Sequence, residues 1–518
     1  MTHLRRIAGE QASQLLSIGV QLVDRLVLTG LLYRLWGAAN FEAWSLCAAL
    51  VGLVSLFELG FNMYFANRLM LEVETGQMAP AERTLGLSNT IFGACGLAGF
   101  AATAVILAIS AIPATSQISS LEMKSAVLAL ATLTALRLSM CGTYGLYRAH
   151  RQFARFTLLQ TVGDLARIIA VLAVVAFGGG LWGVSLTTLL AAGAVQCAFV
   201  AYDVQGRFGV KPFHFVVPAA ADLREILPPS LAYFGQMIPL ILLTHLPVLY
   251  VTGHSTATGL VSGFVLLRTL GGLPRALLQS LGVVLGQECA RRLAVKDIAG
   301  ATTTLATATR IFSALSGLLA GALFSAGPQI VSAWTGDAHV FRSDYFVAAL
   351  LPMLVAAASV LSHNVLSANN TPYLAAVGRT TQLALSVLVV NAAPVADPGL
   401  RTILALSLGE VFGFTPLAYW AVWRQMPRAG VGFHLRMLAL TLIAAGLAAM
   451  ITHWSLEVVG AQGIAGLLMS MMIAAPPCGA LFVGLGLPTA LRVQVLRRTL
   501  ALGSGRLAMR PPGHGEVP

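Results

Sequence analysis

Lysine is almost missing from this 518-residue chain: Lys124, Lys211 and Lys296 are its only three. Charge of either sign is scarce as well, at 10% of residues against 57% hydrophobic ones, and the mean hydropathy is +0.80. That balance excludes an ordinary soluble globular protein and leaves a chain of repeated apolar runs, a polytopic membrane protein. The 32 basic residues, nearly all arginine, give a net charge of +12. They are spread thinly between apolar runs and form no stripe that could track a phosphate backbone, which excludes nucleic acid as a partner. The six cysteines show no C-x-x-C spacing and mostly sit inside apolar runs, which argues against a metal centre or a disulfide framework. There is no P-loop and no H-E-x-x-H, the histidines are isolated, and Gly178 to Gly180 reads as a tight turn. No metal and no cofactor are expected. Large hydrophilic loops are missing too, the longest on one side being about 17 residues around PQIVSAWTGDAHVFRSD. Without such a loop there is no place for extramembrane catalysis, so the chain is read as a non-enzyme, and a membrane glycan polymerase or ligase is disfavoured.

What the sequence does contain is runs of about 20 apolar residues, each long enough to cross a bilayer core of ~30 Å as a helix. Fourteen are found, near 13–34, 43–66, 85–112, 125–147, 156–178, 181–202, 228–251, 258–288, 303–326, 344–366, 373–393, 400–422, 435–453 and 462–487. The fold class predicted is therefore all-α and polytopic, with both ends on one side. Alternating the loops places 21 basic residues on the side of the N-terminus and only Arg34, Lys124, Arg342 and Arg401 on the other. By the positive-inside rule both termini are cytoplasmic. The first run follows Arg5 and Arg6 but is long, carries charges and has no convincing cleavage site, so it is read as an uncleaved span.

Weak internal matches recur in order. Phe65–Gln77 resembles Cys289–Gly300, with Ala66 opposite Ala290 at an offset of 224; Ile91-Phe92 matches Ile311-Phe312 at 220; Ala149 matches Ala368 at 219; Gln21 and Thr29 match Gln236 and Thr244 at 215. They imply two six-helix lobes as parallel repeats, related by an axis along the membrane normal. The resulting division is a lobe over 1–210, a cytoplasmic linker over 211–227, a second lobe over 228–430, two additional spans over 431–490 and a basic, Gly/Pro-rich tail over 491–518 expected to be disordered.

Ionisable residues inside spans are expensive and mark functional sites. Asp24 and Arg25 sit side by side near the middle of the first span, and neighbours on a helix point roughly 100° apart, so they cannot easily satisfy each other. Counting helical rise puts Arg25 and Arg268 both about 12 Å below the surface opposite the termini. Arg275 lies seven residues on, on the same helical face. Gly271, Gly272 and Pro274 between them favour a kink or an unwound turn, tolerable where backbone lines a cavity. The three arginines form a candidate cationic ladder for phosphate, with charge-assisted, often bidentate bonds. Glu58 and Asn62 share a helical face and are candidates for the same cavity. Asp164 and Arg167, at i and i+3, read as an intrahelical pair, and Glu410 as a polar contact between helices.

The fourteen spans and the local patterns LVSLFELGFNMYFANRL (Leu53–Leu69), YRAHRQF (Tyr147–Phe153), IVSAWTGD (Ile330–Asp337) and LSANNTPYLAAVGR (Leu366–Arg379) resemble the polysaccharide flippases of the multidrug/oligosaccharidyl-lipid/polysaccharide (MOP) exporter superfamily, over about residues 10 to 425. That resemblance implies two lobes around a central cavity lined by spans 1, 2, 7 and 8, opening alternately to the two membrane faces. The implied cargo is an undecaprenyl-pyrophosphate-linked oligosaccharide moved outward across a bacterial inner membrane for exopolysaccharide or lipopolysaccharide O-antigen synthesis. The partners implied are that lipid-linked oligosaccharide, membrane lipids and other polysaccharide-assembly proteins, with the chain itself a monomer. The related lipid II flippases carry an acid-arginine pair in span 1 and an arginine in span 8, which Asp24, Arg25 and Arg268 match. Their cavity arginine in span 2 has no counterpart, and Glu58 stands in that span instead. A multidrug or organic-cation exporter of the same superfamily is the alternative, and the span 8 arginines disfavour it. The substrate-binding residues expected are therefore Arg25, Arg268, Arg275, Asp24, Glu58 and Asn62, with Asp24 also the candidate for proton coupling.

Overall fold

The computed structural model describes residues 13–493, apart from residues 14–15, 110–117, 151, 210, 212–213, 256–258, 369–371, 426–429, 461–462 and 490. Every regular element among them is a helix. The tail expected beyond Arg498 and the turn at Asn369 and Asn370 lie outside the described residues. Twelve helical segments are long and apolar enough to cross a membrane, and the pair Ser343–Ala356 and Ser359–Leu366, bent by 64°, makes a thirteenth. The first of the twelve, Leu16–Glu58, has 43 residues, roughly 65 Å at 1.5 Å per residue and so about two crossings. It breaks at Gly37, whose φ of 76° and ψ of 170° suit a residue without a Cβ. Divided there, the segment supplies two candidate spans, which brings the candidates among the described residues to fourteen.

In chain order the helices are α1 (16–36) and α2 (38–52), followed by a 3-10 turn at Leu53–Glu58; α3 (Phe61–Glu74), α4 (Met78–Ile109), α5 (Ser120–Ser139), α6 (Cys141–Ala149), α7 (Phe153–Ala176) and α8 (Leu181–Phe208); then α9 (Ala220–His254), α10 (Leu260–Ala294), α11 (Ile298–Thr335), α12 (Ser343–Ala368), α13 (Pro372–Ala392) and α14 (Pro398–Trp420); and finally α15 (Val431–Val459) and α16 (Gly463–Gly486). Helices α2 to α8 pack on one another, as do α9 to α14, and α15 lies along α11. That last contact is close because α11 presents Gly317 and Gly321, four residues apart, to the backbone of α15, where a Cβ on Gly317 would come within 2.9 Å of Ala444 Cβ. Small residues at helical spacing are how apolar helices gain contact in lipid, where the hydrophobic effect offers little.

One turn occurs twice. Between α3 and α4, Gln77 N–H donates to Glu72 O (2.8 Å), Met78 N–H to Gly76 O (3.1 Å) and Ala81 N–H to Gln77 O (3.1 Å). Between α10 and α11, Asp297 N–H donates to Arg292 O (2.9 Å), Ile298 N–H to Lys296 O (3.0 Å) and Ala301 N–H to Asp297 O (3.0 Å). Every residue pair is 220 apart, and the left-handed residue is Gly76 in one and Lys296 in the other. A π-helical turn likewise interrupts α8 at Leu189–Ala194 and α14 at Gly409–Phe414, again 220 apart. The register of 224 read from Ala66 and Ala290 is therefore corrected by four residues. The slip is one helical turn, which leaves a pattern of apolar faces nearly unchanged.

Two further expectations are corrected. The linker over 211–227 is half helix: α9 begins at Ala220, and the extended residues before it are strapped along α4, with Val216 N–H donating to Gly86 O (3.2 Å) and Asn89 Nδ2 to His214 O (3.0 Å). No unwound turn exists at Gly271, Gly272 and Pro274, since α10 is helical throughout. Gly271 instead lets α12 approach, because a Cβ there would lie 2.7 Å from Ala349 Cβ.

Candidate anion-binding cavity

Arg25 and Asp24 lie in a π-helical turn, Val23–Leu28, that widens α1. The two side chains point apart. Asp24 Oδ1 accepts from Arg167 of α7 at 2.8 Å, whereas Arg25 faces a cavity of about 380 Å³ that Arg268, Arg275, Arg379 and Glu410 also line. Asp24 is thus not the partner of Arg25. The adjacency that made the pair conspicuous is what forbids it.

Around that cavity the arginines are held differently. Arg268 donates to the carbonyls of Thr244 (3.1 Å) and Leu243 (3.0 Å) on α9 and has no carboxylate partner among the described residues. Arg275, one turn beyond Gly271 on α10, pairs with Glu410, which is 3% exposed. Arg379, on α13, is buried, stacks 3.9 Å over the Phe414 ring and donates to Gln382 Oε1 at 2.8 Å. The π turn of α14 brings Glu410 and Phe414 to these groups, and Gly413 allows it, since a Cβ there would sit 2.8 Å from the Gln382 backbone. Short π-helical turns of this kind recur at functional sites. Four guanidinium groups and one carboxylate leave a formal charge of +3 on the cavity wall. Sequence reasoning missed Arg379 and Gln382 as site residues, whereas Glu410 makes the polar contact between helices that it expected, with Arg275 of α10. The signal available was a lone arginine inside the otherwise apolar run of residues 373–393.

Glu58 and Asn62 do not reach these arginines. They line a second chamber of about 550 Å³ among α3, α5, α6, α7 and α8. Their shared helical face does not exist, because Leu59 (φ 50°) and Gly60 (φ 73°) break the helix between them. At Gly60 the chain runs directly against the backbone of α9, 3.1 Å from the Tyr233 carbonyl carbon for a built Cβ, and only glycine permits that approach. Asp164 belongs to this second chamber and is held mainly by Arg137 of α5 (3.1 Å), while Arg167, 4.0 Å away, turns to Asp24. The expected intrahelical pair is thus one rung of a ladder, Arg137–Asp164–Arg167–Asp24, running from the second chamber to the wall of the first. A smaller space of about 300 Å³, lined by Asp24, Arg25, Arg167 and His245, lies between them.

At the membrane face opposite the basic loops, the two sets of helices meet. Glu42 of α2 accepts from Gly259 N–H (2.8 Å), Ser262 N–H (3.2 Å) and the Ser262 hydroxyl (3.1 Å). Tyr33 of α1 donates to Asp337 (3.2 Å), and the Trp334 indole donates to Leu26 O across a gap that Gly30 leaves open.

A polytopic helical membrane protein with buried polar cavities is the class this arrangement defines. No family model matches the sequence, and no curated protein does. Solved structures do match. The lipid II flippase MurJ in an inward closed conformation is similar at 12% identity over 96% of this chain and 99% of that one, with a TM-score of 0.66. An inward-facing multidrug-resistance MATE transporter of the MOP superfamily is similar at 13% identity over 82% of this chain and 98% of that one, TM-score 0.60. A MOP-superfamily transporter from Pyrococcus furiosus described as having a binding pocket of reversed polarity is similar at 15% identity over 81% and 95%, TM-score 0.50. The chain therefore has the MOP-superfamily transporter fold.

Proposed function

We propose that the protein is a secondary flippase that moves an undecaprenyl-diphosphate-linked oligosaccharide outward across a bacterial inner membrane for surface polysaccharide synthesis, with both termini cytoplasmic. The observation that carries this reading is the arginine cavity. Arg268 is held only by backbone carbonyls and Arg25 makes no ion pair among the described residues, so two guanidinium forks are available for phosphate oxygens. A wall with a formal +3 attracts a diphosphate and repels an organic cation, which disfavours drug export. The repeat at 220 residues supports two lobes, over 1–210 and 228–430, that rock against each other around this cavity, with the two added spans outside the repeat. Asp24, paired with Arg167, is the group through which a proton gradient would act. A transport rate indifferent to the pH gradient in reconstituted vesicles excludes that role. Deleting the gene should leave a lipid-linked glycan on the cytoplasmic leaflet. Arg268→Ala and Arg25→Ala should each abolish export while the protein stays stably inserted, and full export in both variants would sink the proposal.

A further inference from the structure

The second chamber has open valences of the opposite kind. Its one cation, Arg137, is consumed by Asp164 (3.1 Å) and by Gln196 Oε1 (3.0 Å). Its acceptors are only partly met. Glu58 makes no ion pair among the described residues and its carboxylate accepts only from the neighbouring Asn62 side chain, whose own Oδ1 is buried with no hydrogen-bond partner. A buried acceptor left unmet is costly, so the ligand that fits must donate. Gln160, Thr134 and Ser55 add neutral polar groups, and Tyr144 and Phe156 meet edge to face at 5.5 Å, offering apolar ring surface.

We infer that this chamber holds the sugar end of the lipid-linked substrate, a neutral or amino sugar whose O–H and N–H groups donate to Glu58 and Asn62 while the diphosphate occupies the arginine cavity. The inference rests on the flippase reading and says where each part of that substrate sits. A uronic acid or other acidic sugar is excluded by Glu58. A metal ion is a poor occupant: about 550 Å³ is the space of an organic ligand rather than an ion, and no grouping of three or more His, Cys, Asp or Glu occurs among the described residues. The Asp164–Arg167–Asp24 ion pairs run from this chamber to the small space that Arg25 shares with the arginine cavity.

The test compares two probes on the full-length protein in lipid nanodiscs: bare undecaprenyl diphosphate, and the lipid-linked glycan extracted from cells in which the gene is deleted. Wild type should bind the glycosylated probe more tightly. Glu58→Ala and Asn62→Ala should each lower that preference about tenfold, the value of one well-made hydrogen bond to a charged or buried group. Asn62→Gln, which keeps the carboxamide donor and acceptor, should retain it and shows that the effect is not misfolding. Arg268→Ala should weaken both probes together. The inference is overturned if the preference survives both alanine variants, if those variants weaken the two probes equally, or if Glu58→Ala removes only a sodium or proton dependence. Loss of diphosphate binding to wild type, or its persistence in Arg268→Ala, would instead overturn the phosphate reading, and the sugar preference is scored separately.

Discussion

The two chambers occupy corresponding places in the repeat and offer opposite chemistry. The first is walled by α10, α12, α13 and α14 and the second by the turn at Leu53–Glu58 with α3, α5, α6, α7 and α8, the same spans 220 residues earlier, while only the first adds Arg25 of α1 and part of α9. Ser55 and Arg275 stand at equivalent positions, so one register holds a hydroxyl in one chamber and a guanidinium in the other. The π turns correspond as well, but that of α14 carries Glu410 where that of α8 has only LLAAGA. Duplication preserved the backbone devices that open a polar space inside an apolar bundle, and the side chains then diverged toward cations in one copy and acceptors in the other. A substrate with an anionic and a hydroxyl-rich end needs that division.

The largest effect separating the chambers should come from Arg275. Glu410 is buried and Arg275 half-buried, and removing the arginine strands the buried carboxylate at a cost of up to about 3 kcal/mol. Arg275→Ala should therefore lower the thermal midpoint of the purified protein sharply, and Arg275→Ala with Glu410→Gln should recover most of the loss. Equal stability of the single and double variants would mean that Glu410 is not held by Arg275. Arg137→Ala should cost less, since Arg137 is exposed and Asp164 keeps Arg167 nearby.

The comparison is sharpened by making the chambers alike. Ser55→Arg introduces beside Glu58 the cation that the second copy carries, and pairing the two closes the acceptor that the sugar needs. Export should fall about tenfold, the loss expected for one hydrogen bond to a charged group, while Ser55→Thr should export normally. Undiminished export by Ser55→Arg in a complemented deletion strain would show that the polarity of the second chamber is immaterial.

Much of this was legible in the sequence, for physical reasons. Lipid forces backbone groups to pair within the helix, so fourteen apolar runs became helices and the charges inside them stood out. Arg25, Arg268 and Arg275 could be placed by helical rise alone, because depth in a membrane is a one-dimensional quantity. Azimuth is not. Leu59 and Gly60 break the helix between Glu58 and Asn62, and the π turn of α14 resets the register that carries Glu410 and Phe414. Neither deviation has a compositional mark that a regular helical wheel would register. Arg379 was passed over because no acid in its own span pairs with it: Gln382, three residues on, offers only a neutral acceptor, and Phe414 is brought by a π turn the sequence does not announce.

The smallest expected effect lies where the two sets of helices are tied at the basic face. Asp222, at the start of α9, accepts from Arg83 of α4 through both oxygens (3.0 and 2.8 Å) and from Ala219 N–H (2.9 Å). The backbone N–H of Ala219, more than the Arg83 guanidinium, holds this carboxyl below the usual aspartate range. A depressed folded value means that ionised Asp222 contributes stability well above the ordinary aspartate value of about 3.9 and loses it as pH falls through the folded value. Asp222→Asn should thus lower the thermal midpoint modestly at pH 7, and the gap from wild type should close as the pH is brought below about 4. Neighbouring Arg68–Glu225 (2.9 Å) is more exposed, so Glu225→Gln should shift the midpoint less than Asp222→Asn at every pH. A gap that persists unchanged into acid would show that Asp222 ties α9 to α4 through its hydrogen-bonding shape rather than its charge.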